Sequence, residues 1–177
     1  MSDQLPKDEP GIETGGESPK QEEALLEVGD RAGQAVVFHL GGQRYGFPIE
    51  HVNEIQQIVA FSDVPSDGLG VVGMINLRGE VIPAVDVRLL VGMEERAYTL
   101  ETPMIIARSG VHLVALIVDD VEDVVEIPEG CMQPVSPMHA LSNKMTGVCN
   151  LDSGLVYLLN VDKLVAQGLL GEEDDDE

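Results

Sequence analysis

The chain has 177 residues, 44% of them hydrophobic, enough for the core of one domain or of two small ones that share it. Aromatic residues make up only 3%, with no tryptophan, while valine occurs 23 times; the interior is therefore aliphatic and β-branched, which favours strands and argues against a platform for stacking bases. With 32 acidic residues against 10 basic ones the formal charge is -22, which repels a nucleic-acid backbone and an anionic lipid surface alike.

Much of that charge lies in two tails. Residues 1–33 hold 9 acids and 3 bases, and residues 172–177 are six acids in a row. The first segment is rich in Pro, Gly, Glu, Ser and Gln and buries too little to offset its ordering, so disorder is expected, with a transient helix over 22–28. Both the N-terminal extension (1–33) and the tail (169–177) read as linkers or solubilising segments, with a steering role against basic partners. The N-terminus lacks the basic start and apolar run of a signal peptide, and no apolar stretch reaches 18 residues. A cytoplasmic location without membrane insertion is the expectation.

From residue 34 the pattern is of strands punctuated by turns. Residues 36–40 and 44–49 flank Gly41-Gly42 and predict a hairpin. Val52, Ile55 and Ile58 follow a short polar turn, and residues 62–70, rich in Ser, Asp, Pro and Gly, predict a loop. Apolar runs at 71–77 and 81–85 flank Arg78-Gly79 and predict a second hairpin. Asp86 is a good N-cap for one or two helical turns over 87–91. The second half repeats the plan. Residues 104–107 and 111–118 flank Ser109-Gly110, Val121, Val124, Val125 and Ile127 follow, and a Pro-containing loop covers 128–144. Residues 73–90 then lie over 147–164 at a constant offset, with Gly73/Gly147, Asn76/Asn150, Leu77/Leu151, Val87/Val161 and Leu90/Leu164 identical. Two similar β-subdomains of about five strands each are predicted, small barrels without exposed edges. The first covers about 34–100 and the second about 101–168, and an exchange of strands between them is left open.

Few residues suggest chemistry. Gly68, Gly70 and Gly73 form G-x-G-x-x-G, but a loop precedes them and a β-pattern follows, where a dinucleotide site needs a strand and then a helix. Turn geometry is the better reading, and a nucleotide-binding enzyme the remote alternative. Asp119, Asp120, Glu122 and Asp123 lack the spacing of a calcium loop and read as a solvated acidic edge. His39, His51, His112 and His139 include no helical zinc pair, and His39 and His112 read as facing solvent or a partner. Cys131 and Cys149 have no metal spacing and read as reduced thiols. No catalytic residue, metal or cofactor is predicted. Arg78 stands out: it is one of seven bases in the middle of the chain and sits at a hairpin tip, where a guanidinium can bind a partner carboxylate. The alternative is an ordinary turn residue paired with a local acid such as Glu54. The equivalent position in the second half is Asp152.

The stretch Val71-Val-Gly-Met-Ile-Asn-Leu-Arg-Gly-Glu-Val-Ile-Pro-Ala-Val-Asp-Val-Arg88 resembles the CheW family of bacterial chemotaxis coupling proteins. It follows the family pattern of Gly, two apolar residues, Asn-Leu-Arg-Gly, an apolar Ile-Pro pair and Asp-apolar-Arg. Tyr45-Gly-Phe-Pro-Ile49, Val52-Asn-Glu-Ile55 and Leu116-Ile-Val-Asp119 match further family signatures in order, and the resemblance covers about 34–168. It implies two five-stranded SH3-like barrels around a shared core. It also implies a non-catalytic adaptor joining chemoreceptor tips to the regulatory domain of a CheA-type histidine kinase. Val52, Glu54, Gly73 and Arg78 match positions implicated in receptor or kinase contact, and Asn76, Leu77 and Gly79 shape the same loop. Glu54 and Arg78 would supply complementary charge, which tunes specificity more than affinity. The acidic tails depart from a minimal coupling protein and leave open a scaffold in pilus-driven or gliding motility.

Overall fold

The structure is a computed structural model and describes residues 33–58, 62–63 and 70–167. The readings placed on residues 22–28, on Gly68 and on the acidic tail lie outside the described residues. Within them are twelve strands: β1 Gly33–Leu40, β2 Gln43–Pro48, β3 Val52–Gln57, β4 Ser62–Asp63, β5 Val71–Leu77, β6 Glu80–Asp86, β7 Pro103–Ser109, β8 His112–Ile117, β9 Asp120–Ile127, β10 Met132–Gln133, β11 Met145–Leu151 and β12 Gly154–Leu159. Two short helices, α1 Val87–Leu90 and α2 Val161–Val165, follow β6 and β12. Each is started by a side-chain cap: Asp86 accepts from the Arg88 N–H, and Asn160 from the Lys163 N–H.

The strands form two sheets, in the orders β10-β11-β12-β2-β1-β9 and β3-β7-β8-β6-β5-β4. Each has five full strands and a sixth of two residues. The first hairpin of each half lies in the sheet built from the later strands of the other half. It enters through one parallel pair, β2 on β12 in the first sheet and β8 on β6 in the second. Its outer strand then pairs antiparallel, β1 with β9 and β7 with β3.

The bulges obey the same repeat. The register shifts between Val71 and Gly73 on β5 and between Met145 and Gly147 at the matching place on β11. A second pair falls at Asn53 on β3 and Glu122 on β9. A bulge sharpens the local twist, which helps a short sheet roll up.

The core follows from strands buried on both faces. On β1, Val36, Phe38 and Leu40 point one way and Ala35 and Val37 the other; on β7, Ile105 and Ala107 oppose Met104 and Ile106. One set fills the barrel of its own sheet. The other meets its counterpart in a central cluster that includes Phe47, Val114, Leu116 and Leu159. Phe38 and Phe47 are fully buried there with ring centroids 4.6 Å apart, each contributing about 2–3 kcal/mol from burial.

Two readings need correction. The β7–β8 turn is Gly110-Val111 rather than Ser109-Gly110, since Ser109 still pairs with His112. Gly110 takes φ 64, the left-handed value that a two-residue hairpin can demand of its first position. Within the stretches read as loops, Ser62 and Asp63 form β4, paired with Met74 and Gly73, and Met132 and Gln133 form β10, paired with Cys149 and Val148.

Candidate partner-binding site

The β5–β6 connection is two residues long, Arg78 and Gly79, closed by the pair Leu77 and Glu80. Arg78 has φ 52 and Gly79 φ 92, the signs of a type I′ hairpin turn. Glycine adopts this backbone freely. For arginine it costs about 1–2 kcal/mol, and Arg78 is the sole non-glycine with positive φ among the described residues. Two contacts hold the turn. The Asn76 side-chain oxygen accepts from the Gly79 N–H at 2.9 Å. The Arg78 guanidinium donates to the Glu54 carboxylate on β3.

That ion pair also bears on the shape of the sheet. In sheet order β7, β8 and β6 lie between β3 and β5, yet a β3 side chain touches the β5–β6 tip. The sheet must curl to bring them together. Gln56 donates a second hydrogen bond to Glu54, at 2.9 Å. Arg78 and then Gln56 hold the Glu54 carboxyl below its ordinary value. The Arg78 side chain remains 66% exposed, against 25% for Glu54, so the guanidinium keeps donors free for a partner.

The other predicted residues divide by face. Asn76 and Gly79 are exposed at the tip beside Arg78. Leu77 and Gly73 are buried on the barrel side of β5. Val52 is half-buried against the central cluster, two residues from Glu54. Sequence reasoning missed Val81. It lies opposite Asn76 and is 61% exposed, an apolar spot beside the cation. Its place in an apolar run hid it.

A second polar centre was also missed. Asp119, read as part of a solvated edge, has a side chain only 9% exposed. Arg88 donates to both its oxygens, at 2.7 and 2.8 Å, Arg96 lies 3.0 Å away, and the Gly41 N–H donates at 2.8 Å. Burial pushes its carboxyl up, but Arg88, Gly41 and Arg96 outweigh that and hold it below its ordinary value. Asp119 sits where the chain passes from β8 to β9, that is, from one sheet to the other, so the cluster clasps the two sheets together. Nearby, the buried Asp86 caps α1 and accepts from the Tyr98 hydroxyl at 2.6 Å; desolvation raises both groups. Asp86, Arg88, Arg96, Tyr98 and Asp119 line a recess of about 450 Å³ in which both arginines are paired with Asp119. Glu122 is also engaged, with Arg44 at 3.0 Å and His39 at 3.3 Å, while Asp120 and Asp123 remain exposed.

The glycine motif runs from Gly70 straight into β5, so no helix N-terminus follows to cradle a phosphate. Among the described residues no cluster of His, Cys, Asp and Glu is placed to hold a metal ion, and no helix is long and apolar enough to cross a membrane.

Comparison with known proteins agrees with this architecture. The CheW-like domain matches residues 34–168. The chemotaxis protein CheW of Klebsiella aerogenes is 28% identical over 146 residues, covering 78% of this chain and 86% of that protein. That of Helicobacter pylori is 26% identical over 133 residues, covering 75% and 81%. The crystal structure of the scaffolding protein TtCheW from Thermoanaerobacter tengcongensis superposes with a TM-score of 0.70 at 27% identity, over 82% of this chain and 96% of that one. The repeated barrels, the Asn-Leu-Arg-Gly tip and a match spanning every described strand place this chain in the CheW-like domain family.

Proposed function

We propose that the chain is a non-catalytic signalling adaptor that couples chemoreceptor tips to the regulatory domain of a CheA-type histidine kinase. It works at the cytoplasmic face of receptor arrays. The observation that carries the reading is the β5–β6 tip, where an exposed guanidinium is held in an unfavourable backbone conformation by Asn76 and Glu54. Strain kept at an exposed polar residue points to a use for its position. Arg78 offers bidentate donors to a partner carboxylate, Val81 offers apolar contact beside it, and Glu54 orients the guanidinium. Gly73, Leu77 and Gly79 set the backbone of this surface, and Val52 with Glu54 forms its β3 flank. The adaptor acts through simultaneous binding, so kinase output follows from geometry rather than from chemistry at this chain.

Co-sedimentation tests this directly. The full chain, a CheA-type kinase and membranes bearing chemoreceptors are mixed, and kinase in the pellet is measured. Kinase should pellet with receptor membranes at least about tenfold more in the presence of the chain than without it. Equal kinase in both pellets would overturn the adaptor reading.

A further inference from the structure

The chain has two cysteines, 131 and 149, and the fold brings them together at the start of the short strand β10. Met132 lies opposite Cys149 in the β10–β11 ladder, which places Cys131 one step away on the diagonal. With antiparallel partners about 5 Å apart and a rise of about 3.4 Å, their Cα atoms are separated by about 6 Å. That is inside the range a disulfide spans, about 4.4–6.8 Å. Cys131 precedes the first ladder residue, so strand alternation does not force its side chain to the opposite face. Both cysteines belong to the apolar cluster of Ala35, Val37, Val156 and Leu158, and the Cys149 thiol interacts with that of Cys131. Both are free thiols.

Their exposure differs. Cys149 is fully buried, whereas Cys131 is half-buried and lines an open cleft of about 680 Å³ with Glu126, Glu129 and Asp152 at its mouth. A reagent can reach one sulfur while the second waits beneath it. The three carboxylates disfavour an anionic oxidant and leave a small neutral one as the better fit.

The geometry points to a thiol-modification site: Cys131 and Cys149 form a reversible disulfide with hydrogen peroxide as the oxidant. The Cys131 thiol gives up its proton, its thiolate attacks one peroxide oxygen, the O–O bond breaks, and the departing hydroxide takes up the proton to leave as water, giving a sulfenic acid. Cys149 loses its proton and attacks the sulfenic sulfur, and a second water leaves with the S–S bond made. Two thiols and one peroxide become one disulfide and two waters. Burial, and then contact with Cys131, raise the Cys149 thiol above its ordinary value, so ring closure draws on a small thiolate fraction at neutral pH. Its rate rises about tenfold per pH unit between about pH 6 and 8. The bond fastens β10 to β11 under the second hairpin tip. This inference does not depend on the adaptor reading.

The test treats the full-length protein with hydrogen peroxide, labels remaining thiols with maleimide after denaturation, and measures intact mass and the linked peptides. The expected product is a monomer lighter by about 2 Da, with no labelled thiol, a Cys131–Cys149 peptide and reversal by dithiothreitol. Its Tm should exceed that of the reduced protein by about 5 °C. With Cys149→Ser, dimedone should trap a sulfenic acid on Cys131; with Cys131→Ser, Cys149 should stay a thiol under the same exposure. Two labelled thiols after oxidation of the wild type, a dimer joined through Cys131, or Cys131 over-oxidised beside a free Cys149 would each overturn the proposal.

Discussion

The hairpin tips β5–β6 and β11–β12 occupy equivalent places in the repeat and use their charge in opposite ways. At the first tip the cation is on the turn itself: Arg78 reaches down to Glu54 on the barrel wall and stays 66% exposed. At the second the turn is Asp152-Ser153, and the cation is on the wall. Arg44 of β2 donates to the Ser153 carbonyl at 3.1 Å and to Glu122, and its side chain is only 15% exposed. The first turn takes positive φ at both central residues, whereas the second shifts the positive φ to Gly154. Both tips keep an outward Asn opposite an exposed apolar residue, Asn76 with Val81 and Asn150 with Leu155. One scaffold thus ties down its second tip with a mostly buried cation and leaves the first with an exposed one. On the proposed reading, the difference separates a structural use of arginine from a recognition use.

Substitutions test that contrast. The largest effect is expected away from the tips, at the clasp between the sheets. Arg88→Ala leaves the Asp119 carboxylate buried with only Arg96 and the Gly41 N–H, and should cost about 2–4 kcal/mol in urea unfolding. Next is Arg44→Ala, which removes a mostly buried side chain from Glu122 and Ser153 and should cost about 1–2 kcal/mol. Arg78→Ala should cost under about 1 kcal/mol in the same assay, because its pair is exposed and alanine, which keeps the Cβ, leaves the left-handed strain unchanged. Equal losses from Arg44→Ala and Arg78→Ala would erase the distinction between the tips.

The double exchange Glu54→Arg with Arg78→Glu sharpens it further. Attraction between the positions is restored, so stability should return to within about 0.5 kcal/mol of the wild type. Partner binding should remain lost, since the charge presented at the tip is inverted. The smallest effect is in pH dependence. The Glu54 carboxyl is held low in the folded state, so its contribution is present above its unfolded value of 4.5 and is lost as pH falls through the lower folded value. Glu54→Gln should flatten that acid limb of a urea-midpoint profile. Asp86, raised by burial, has the opposite sign: its contribution is present below its unfolded value of 3.8 and fades as pH rises through the raised folded value. Asp86→Asn should remove that decline.

Much of the local structure was legible because turns declare themselves. Gly41-Gly42 and Arg78-Gly79 sit between apolar runs, and each became a two-residue hairpin loop. Asp86 and Asn160 capped their helices at matching places. Arg78 was visible as a rare base beside a glycine. The division of the core was not legible, because Phe38 and Val37 are both fully buried and only the fold decides which faces the barrel and which the central cluster. Nor was Asp119, since its partner Arg88 is 31 residues away and its acidic neighbours suggest a wetted edge. Val81 gave no signal, because a valine in a strand is more often buried than offered to solvent.

On the proposed reading, the first tip docks a partner and the second does not. Dissociation constants for the CheA-type kinase regulatory domain and for a chemoreceptor tip should be measured with the wild type, Arg78→Asp and Asp152→Arg. Arg78→Asp should weaken at least one of the two complexes by about tenfold or more, and Asp152→Arg should change neither by more than about threefold. Unchanged affinity for both partners in Arg78→Asp, or a loss of binding confined to Asp152→Arg, would contradict it.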